Sequence, residues 1–191
     1  MNIGIFSGSF NPIHVGHLIL ANYIAEFTEI DEVWFLVSPH NPLKKQDELL
    51  DENMRYEMAA MALQGYKKLK ASDFEFSLQR PSYTINTLGA LKEKYPEHDF
   101  TLIIGADNWE NFENWVEHDK IIENHKIKVY PRLGSRITIP KKLKSKVEAL
   151  DSPIVEISST FIRESISEGK DIRAFLPERV YDYILKKELY V

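Results

Sequence analysis

The chain has 191 residues, 43% of them apolar and 28% charged, with a net charge of −5 and no cysteine. Without thiols it has no disulfides, thiolate zinc sites, iron–sulfur clusters or cysteine nucleophiles, and its acidity argues against a general nucleic-acid binder, which carries a positive footprint. A chain this long buries about 70% of its unfolded surface, so one domain over residues 1–191 is the expectation.

No apolar run approaches the eighteen or so residues of a membrane span. Met1-Asn2-Ile3-Gly4-Ile5-Phe6 has no basic segment or cleavage-type site, so the sequence reads as cytoplasmic with a strand that begins at once. Strand-like runs then alternate with helix-like stretches, the pattern of βαβ units around a parallel sheet. The first strand is predicted over residues 2–7 and the first helix over 15–26. Residues 33–38, Val-Trp-Phe-Leu-Val-Ser, form a continuous apolar run, as a strand covered on both faces requires. A helix follows over 52–64, with Met54, Met58, Met61 and Ala62 at helical spacing. Next come a strand at 71–78, a helix at about 84–95, and the most strongly apolar strand at 100–104, ended by Gly105. Short helices at 108–115 and 118–124 precede a strand at 126–130, and 132–150 reads as a basic loop. A strand at 154–157 leads into a helix over 160–167, and a last helix over 177–187 has Pro177 at its start. The fold class is α/β, a Rossmann-like doubly wound parallel sheet with helices on both faces. Ligands of such sheets bind beyond the carboxyl ends of the strands.

Gly8-Ser9-Phe10-Asn11-Pro12-Ile13-His14-Val15-Gly16-His17 follows the first strand directly. Gly8 and Gly16 lack a Cβ, so the backbone turns tightly and a ligand approaches closely. The segment opens a helix, whose free N–H groups and positive dipole end favour a phosphate. His14 and His17, at i and i+3, share a face of the first turn, where imidazoles donate to phosphate oxygens as charge develops. A plain turn with surface histidines has the same pattern, and a zinc site lacks a third ligand at a typical spacing. The turn is neither a Walker loop nor a dinucleotide fingerprint. A second segment, Ile157-Ser158-Ser159-Thr160-Phe161-Ile162-Arg163, opens another helix. There Ser159 or Thr160 is the expected N-cap, and Arg163 lies one turn in. Alone it is a capped helix with a solvated arginine. As a pair, the two helix starts would clamp a polyphosphate.

On these residues the chain resembles a known family. Gly8 to His17 is similar to the Gly-Ser-Phe-x-Pro-x-His-x-Gly-His signature of the nucleotidyltransferases related to class I tRNA synthetases, and Ile157 to Arg163 resembles their Ile-Ser-Ser-Thr-x-Ile-Arg signature. Arg80-Pro81-Ser82-Tyr83-Thr84-Ile85-Asn86-Thr87-Leu88 resembles the Ser-Tyr-Thr-x-x-Thr-Leu segment of bacterial nicotinate-mononucleotide adenylyltransferases. Ile104-Gly105-Ala106-Asp107-Asn108-Trp109, followed by Trp115, is similar to that family's Gly-Ala-Asp segment and downstream tryptophan, and Tyr183-Ile184 and Tyr190 fit its ending. Phosphopantetheine adenylyltransferases share the end signatures but not the middle segments. Where the family carries Pro-Pro-His-Lys, this chain reads Pro39-His40-Asn41-Pro42-Leu43-Lys44-Lys45. Lys44 is taken as the matching lysine, with Lys45 the alternative.

The resemblance implies attack by a mononucleotide 5′-phosphate on the α-phosphorus of ATP, releasing pyrophosphate with no covalent enzyme intermediate. It implies catalytic roles for His14, His17, Lys44 and Arg163, with His17 at the α-phosphate. ATP and its phosphates would be bound by Gly8, Ser9, Phe10, Gly16, Gly105, Asp107, Ser159 and Thr160. The pyridine nucleotide would be bound by Asn11, Tyr83, Thr84 and Trp115, with Trp115 as the stacking platform. Mg²⁺ would arrive with ATP, held by phosphates and water, with no protein ligand set expected. Asp107 would sit near the metal or bind a ribose hydroxyl. The implied partners are ATP and nicotinate mononucleotide, without nucleic acid or membrane, and a homo-oligomer is compatible with the sequence. The rival readings are transfer to nicotinamide mononucleotide or phosphopantetheine, and an ATP-binding regulatory module without turnover.

Overall fold

The computed structural model describes residues 1–39 and 49–191. Strands β1 (Asn2–Gly8), β2 (Glu32–Val37), β3 (Leu69–Ser72), β4 (Asp99–Gly105), β5 (Lys126–Tyr130) and β6 (Val147–Ala149) form one sheet in the order β3-β2-β1-β4-β5-β6. Every pairing is parallel. This is the Rossmann strand order, and it reverses direction between β1 and β4, where such sheets open a crevice.

Both faces of the sheet are buried, which is why its strands read as unbroken apolar runs. Phe6 of β1 and Val33, Phe35 and Val37 of β2 join a core closed by α1 (Val15–Phe27), α2 (Glu52–Leu63), α6 (Ser159–Ser167) and α7 (Glu178–Lys186). Ile3 and Ile5 of β1 and Leu36 of β2 point the other way, under α3 (Thr84–Lys94), α4 (Ala106–Glu110) and α5 (His118–Asn124). Side chains alternate between the two cores, as the strand period of two demands.

Five expectations are corrected. Residues 71–78 are not one strand: β3 starts earlier, pairs Leu69 to Ser72 with Val33 to Leu36, and gives way to a 3-10 turn at Phe74–Ser77. That turn brings Glu75 to the ends of β1 and β2, where its carboxylate meets hydroxyl donors. Residues 154–157 form no strand; the place beside β5 belongs to β6, and Ile154 is 52% exposed. β6 itself lies inside the stretch read as a basic loop, with a 3-10 turn at Lys141–Leu143 before it. Three residues are too few to display a period. Residues 108–115 divide into α4 and a 3-10 turn at Phe112–Asn114, and Pro177 is the N-cap of α7 rather than its first helical residue. Among the described residues no helix is long and apolar enough to cross a membrane.

Candidate active site

The loop from Gly8 to His14 crosses the strand ends between β1 and α1. Phe10 takes φ 46°, a left-handed conformation that side chains seldom adopt. Its ring packs edge-on against Phe6 and His17, and a Cβ on Gly8 would stand 3.1 Å from it. Ser9 and Phe10 are buried, and the Ser9 Oγ has no hydrogen-bond partner among the described residues.

His14 is the N-cap of α1, in extended backbone with φ −145°. Its N–H donates to Nδ1 of His17 at 3.2 Å, and the two rings stack with centroids 3.6 Å apart. An imidazole that accepts at Nδ1 in its neutral form carries its proton on Nε2. His14 is 4% exposed; burial first, and then the Arg132 charge, pull its pKa down to about 4. At neutral pH it is therefore an uncharged donor, not a cation. Its buried Nδ1 is unbonded among the described residues. A Cβ on Gly16 would lie 3.1 Å from that nitrogen, so Gly16 is the space in which the ring lies.

A cleft of about 600 Å³ opens between this loop and the start of α6. Asn11, His14, Gly16 and His17 line one side, and Ser159, Thr160 and Arg163 the other. The expected cap is corrected: Ser158 caps α6, its Oγ accepting from the Phe161 N–H at 3.1 Å. Ser159 donates instead to the Pro12 carbonyl and Arg163 Nη1 to the Asn11 carbonyl, both at 2.9 Å. The second motif is thus bonded to the first.

A smaller cleft of about 280 Å³ lies on the other side of the Phe6 and Tyr130 rings, which border both spaces and meet edge-on at 6.1 Å. Tyr83, Thr84 and Trp115 come together there, with Gly8, Ser38 and Glu75. Tyr83 is the N-cap of α3, so the helix presents its opening turn to this space. Trp115 tilts against Phe112 at 5.2 Å. Asn11, grouped with these residues on sequence, lines the larger cleft instead, its Oδ1 accepting from the Tyr190 hydroxyl at 2.8 Å. Asp107 also faces the larger cleft, 3.6 Å from Arg132 Nε, and its Oδ1 has no hydrogen bond among the described residues. A Cβ on Gly105 would run into Asp107 and the Tyr130 ring. Lys44 and Lys45 lie outside the described residues.

Tyr130, Arg132 and Glu75 are among the cleft residues that escape the sequence reading. For Tyr130 and Arg132 the signal is their place at and just past the carboxyl end of a parallel strand. For Glu75 it is a carboxylate inside a run otherwise read as a strand.

The cytidylyltransferase-like family matches residues 5–165. The chain is 54% identical over 184 residues to a Bacteroides fragilis protein named "Probable nicotinate-nucleotide adenylyltransferase", covering 96% of this chain and 91% of that one. It is 51% identical over 191 residues to the Flavobacterium johnsoniae protein of the same name, covering 100% and 99%. Among solved structures, the Plasmodium falciparum nicotinic acid mononucleotide adenylyltransferase complexed with NaAD has a TM-score of 0.81 at 22% identity, covering 99% of this chain and 97% of that one, a likeness of fold. With relatives half identical along its length and two helix-start motifs joined across one cleft, the chain belongs to the nicotinate-nucleotide adenylyltransferase family of cytidylyltransferase-like proteins.

Proposed function

We propose that the chain transfers AMP from ATP to nicotinate mononucleotide, giving deamido-NAD and pyrophosphate in NAD biosynthesis. The observation that carries this reading is the pair of unlike clefts meeting at Phe6 and Tyr130. The larger has histidines, arginines and a helix start, which suit a triphosphate. The smaller has Trp115 for a flat ring and the opening N–H groups of α3 for a carboxylate.

In this reaction an oxygen of the mononucleotide phosphate attacks the α-phosphorus, and the bond to the β-phosphate oxygen breaks. Such transfer depends on positioning and charge stabilisation rather than on a protein nucleophile. His17 donates from Nε2 to the α-phosphate, with neutral His14 beside it. Ser159, Thr160 and Arg163 hold the departing pyrophosphate, and Gly8, Ser9, Phe10 and Gly16 shape the loop beneath. Tyr83 and Thr84 meet the pyridine carboxylate, and Trp115 stacks on the ring. Arg132 joins them as a cation of the larger cleft, and Lys44 keeps its phosphate role on sequence alone. Mg²⁺ would enter with ATP, carried by phosphates and waters, and would supply neutralisation of phosphate charge. Asp107, whose Oδ1 has no hydrogen bond among the described residues, would meet that ion or a ribose hydroxyl.

Pyrophosphate release from ATP and Mg²⁺, with nicotinate mononucleotide, nicotinamide mononucleotide or phosphopantetheine as acceptor, tests the proposal. Strong preference for nicotinate mononucleotide is expected. Preference for the amide removes the carboxylate contact at Tyr83 and Thr84, and turnover of phosphopantetheine also discards Trp115 as the ring platform. ATP binding with no release from any acceptor sinks the enzymatic reading.

A further inference from the structure

Arg55, on α2, is 1% exposed and borders neither cleft. Its guanidinium donates to four main-chain carbonyls: Nη1 to Ser9 at 2.6 Å and to Ser38 at 2.8 Å, Nη2 to Pro39 at 3.2 Å, and Nε to Leu50 at 2.9 Å. Buried guanidinium groups usually face a carboxylate. Here every one of these bonds ends on backbone, and one of them ends on the loop that follows β1. Tyr190, at φ 65°, reaches the same loop from the far end of the chain, its hydroxyl donating to Asn11 Oδ1 at 2.8 Å. Burial holds the Tyr190 phenol well above its ordinary value, so it remains a donor at any working pH.

Three of the loop's carbonyls are held by side chains from outside it: Ser9 by Arg55, Asn11 by Arg163 and Pro12 by Ser159. A carbonyl oxygen repels a phosphate oxygen, so carbonyls bonded into the protein suit a phosphate site. Of this loop, Asn11 and His14 line the larger cleft. We infer that Arg55 and Tyr190 are positioning residues, which hold the turn from Ser9 to Asn11 so that Asn11 and the histidine that follows keep their places along the ATP cleft. The inference rests on ATP occupying the larger cleft.

The test uses Arg55→Lys, Arg55→Ala and Tyr190→Phe in the full chain. ATP affinity is read by calorimetry without acceptor, alongside kcat, the two KM values and Tm. Arg55→Lys is expected to weaken ATP binding about tenfold and to lower kcat about 100-fold, the scale of a displaced reacting group. KM for nicotinate mononucleotide should stay within about twofold, a split that a general loosening of the fold does not produce. Guanidinium ion added to Arg55→Ala should restore part of the ATP affinity. Tyr190→Phe removes one hydroxyl and should weaken ATP about fivefold at nearly unchanged Tm. Unchanged ATP affinity in both Arg55→Lys and Tyr190→Phe overturns the inference. So do equal losses for both substrates that follow Tm. If the Arg55 variants do not fold, Tyr190→Phe decides alone. A wild-type chain that binds ATP but releases no pyrophosphate refutes the proposed reaction, while the ATP affinities of the variants still judge this inference.

Discussion

His14 lies where solvent barely reaches it, between the space left by Gly16 and the ring of His17. Its pKa of about 4 stands against an unfolded value near 6.5. Between those values the unfolded chain binds more protons than the folded one, so stability rises with pH through the window and is lost as pH falls from about 6.5 towards 4. The effect is on the order of 3 kcal/mol for a histidine this buried. Thermal melts at pH 7 and pH 4.5 should show the wild type losing several degrees that His14→Asn does not lose. A residual slope in the variant has several sources, among them His125, which burial also pulls down, and carboxylates such as Asp51, which the Asn53 backbone N–H holds below its ordinary value. Equal slopes in the two proteins would remove His14 as the source. Residue spacing makes the shared face of His14 and His17 legible, because i and i+3 neighbours follow from helix geometry alone. It does not make the protonation state legible, since that comes from burial and from Arg132, a residue distant in the chain. The cap of α6 is obscure for another reason: Ser158, Ser159 and Thr160 all offer a hydroxyl, and only backbone geometry selects Ser158.

Where β1, β2 and α3 approach one another, Glu75 joins them. Its carboxylate accepts from Ser38 at 2.8 Å, from Thr87 at 3.1 Å and from Ser7 at 3.4 Å. Burial pushes its pKa up, and the bonds from Ser38, Thr87 and Ser7 pull it back. The opening turn of α3, with Tyr83 and Thr84, is thereby tied to the same strand ends that carry the loop from Gly8 to His14. Glu75→Gln keeps the shape but turns one acceptor into a donor. It should raise KM for the mononucleotide about tenfold while KM for ATP stays within about twofold, since each hydroxyl bond to a charged group contributes about 1.5–3 kcal/mol. Steady-state kinetics with each substrate varied in turn checks this; a rise common to both would leave Glu75 with a structural role only. At this scale the long apolar runs are the legible part: β4 and α1 lie within two residues of their predicted bounds. Edge elements are not legible. β6 is too short for a period, and residues 154–157 have strand composition but join no strand of the sheet, because sheet order rather than local propensity assigns partners.

Across the whole molecule, the strand order sets the reversal between β1 and β4, and both clefts stand at the carboxyl ends of those strands and of β5. Alternation of strands and helices foretells that arrangement from sequence, but not that one pair of rings divides the space above it. Phe6 and Tyr130 form that division, and it has a consequence for traffic through the enzyme. On the proposed reaction each substrate would occupy a single compartment and arrive as a separate molecule. The joined dinucleotide would reach across the divide as a bivalent ligand: while one half stays seated, the other would be held at high local concentration and rebind. Deamido-NAD is therefore expected to inhibit at concentrations below either substrate's KM and to compete with both, which initial-rate measurements with added product will show. Inhibition against one substrate alone would mean that the product grips only one compartment. An enzyme so built throttles itself unless its product is steadily drawn away, so its pace in a cell would follow the appetite of whatever consumes the dinucleotide.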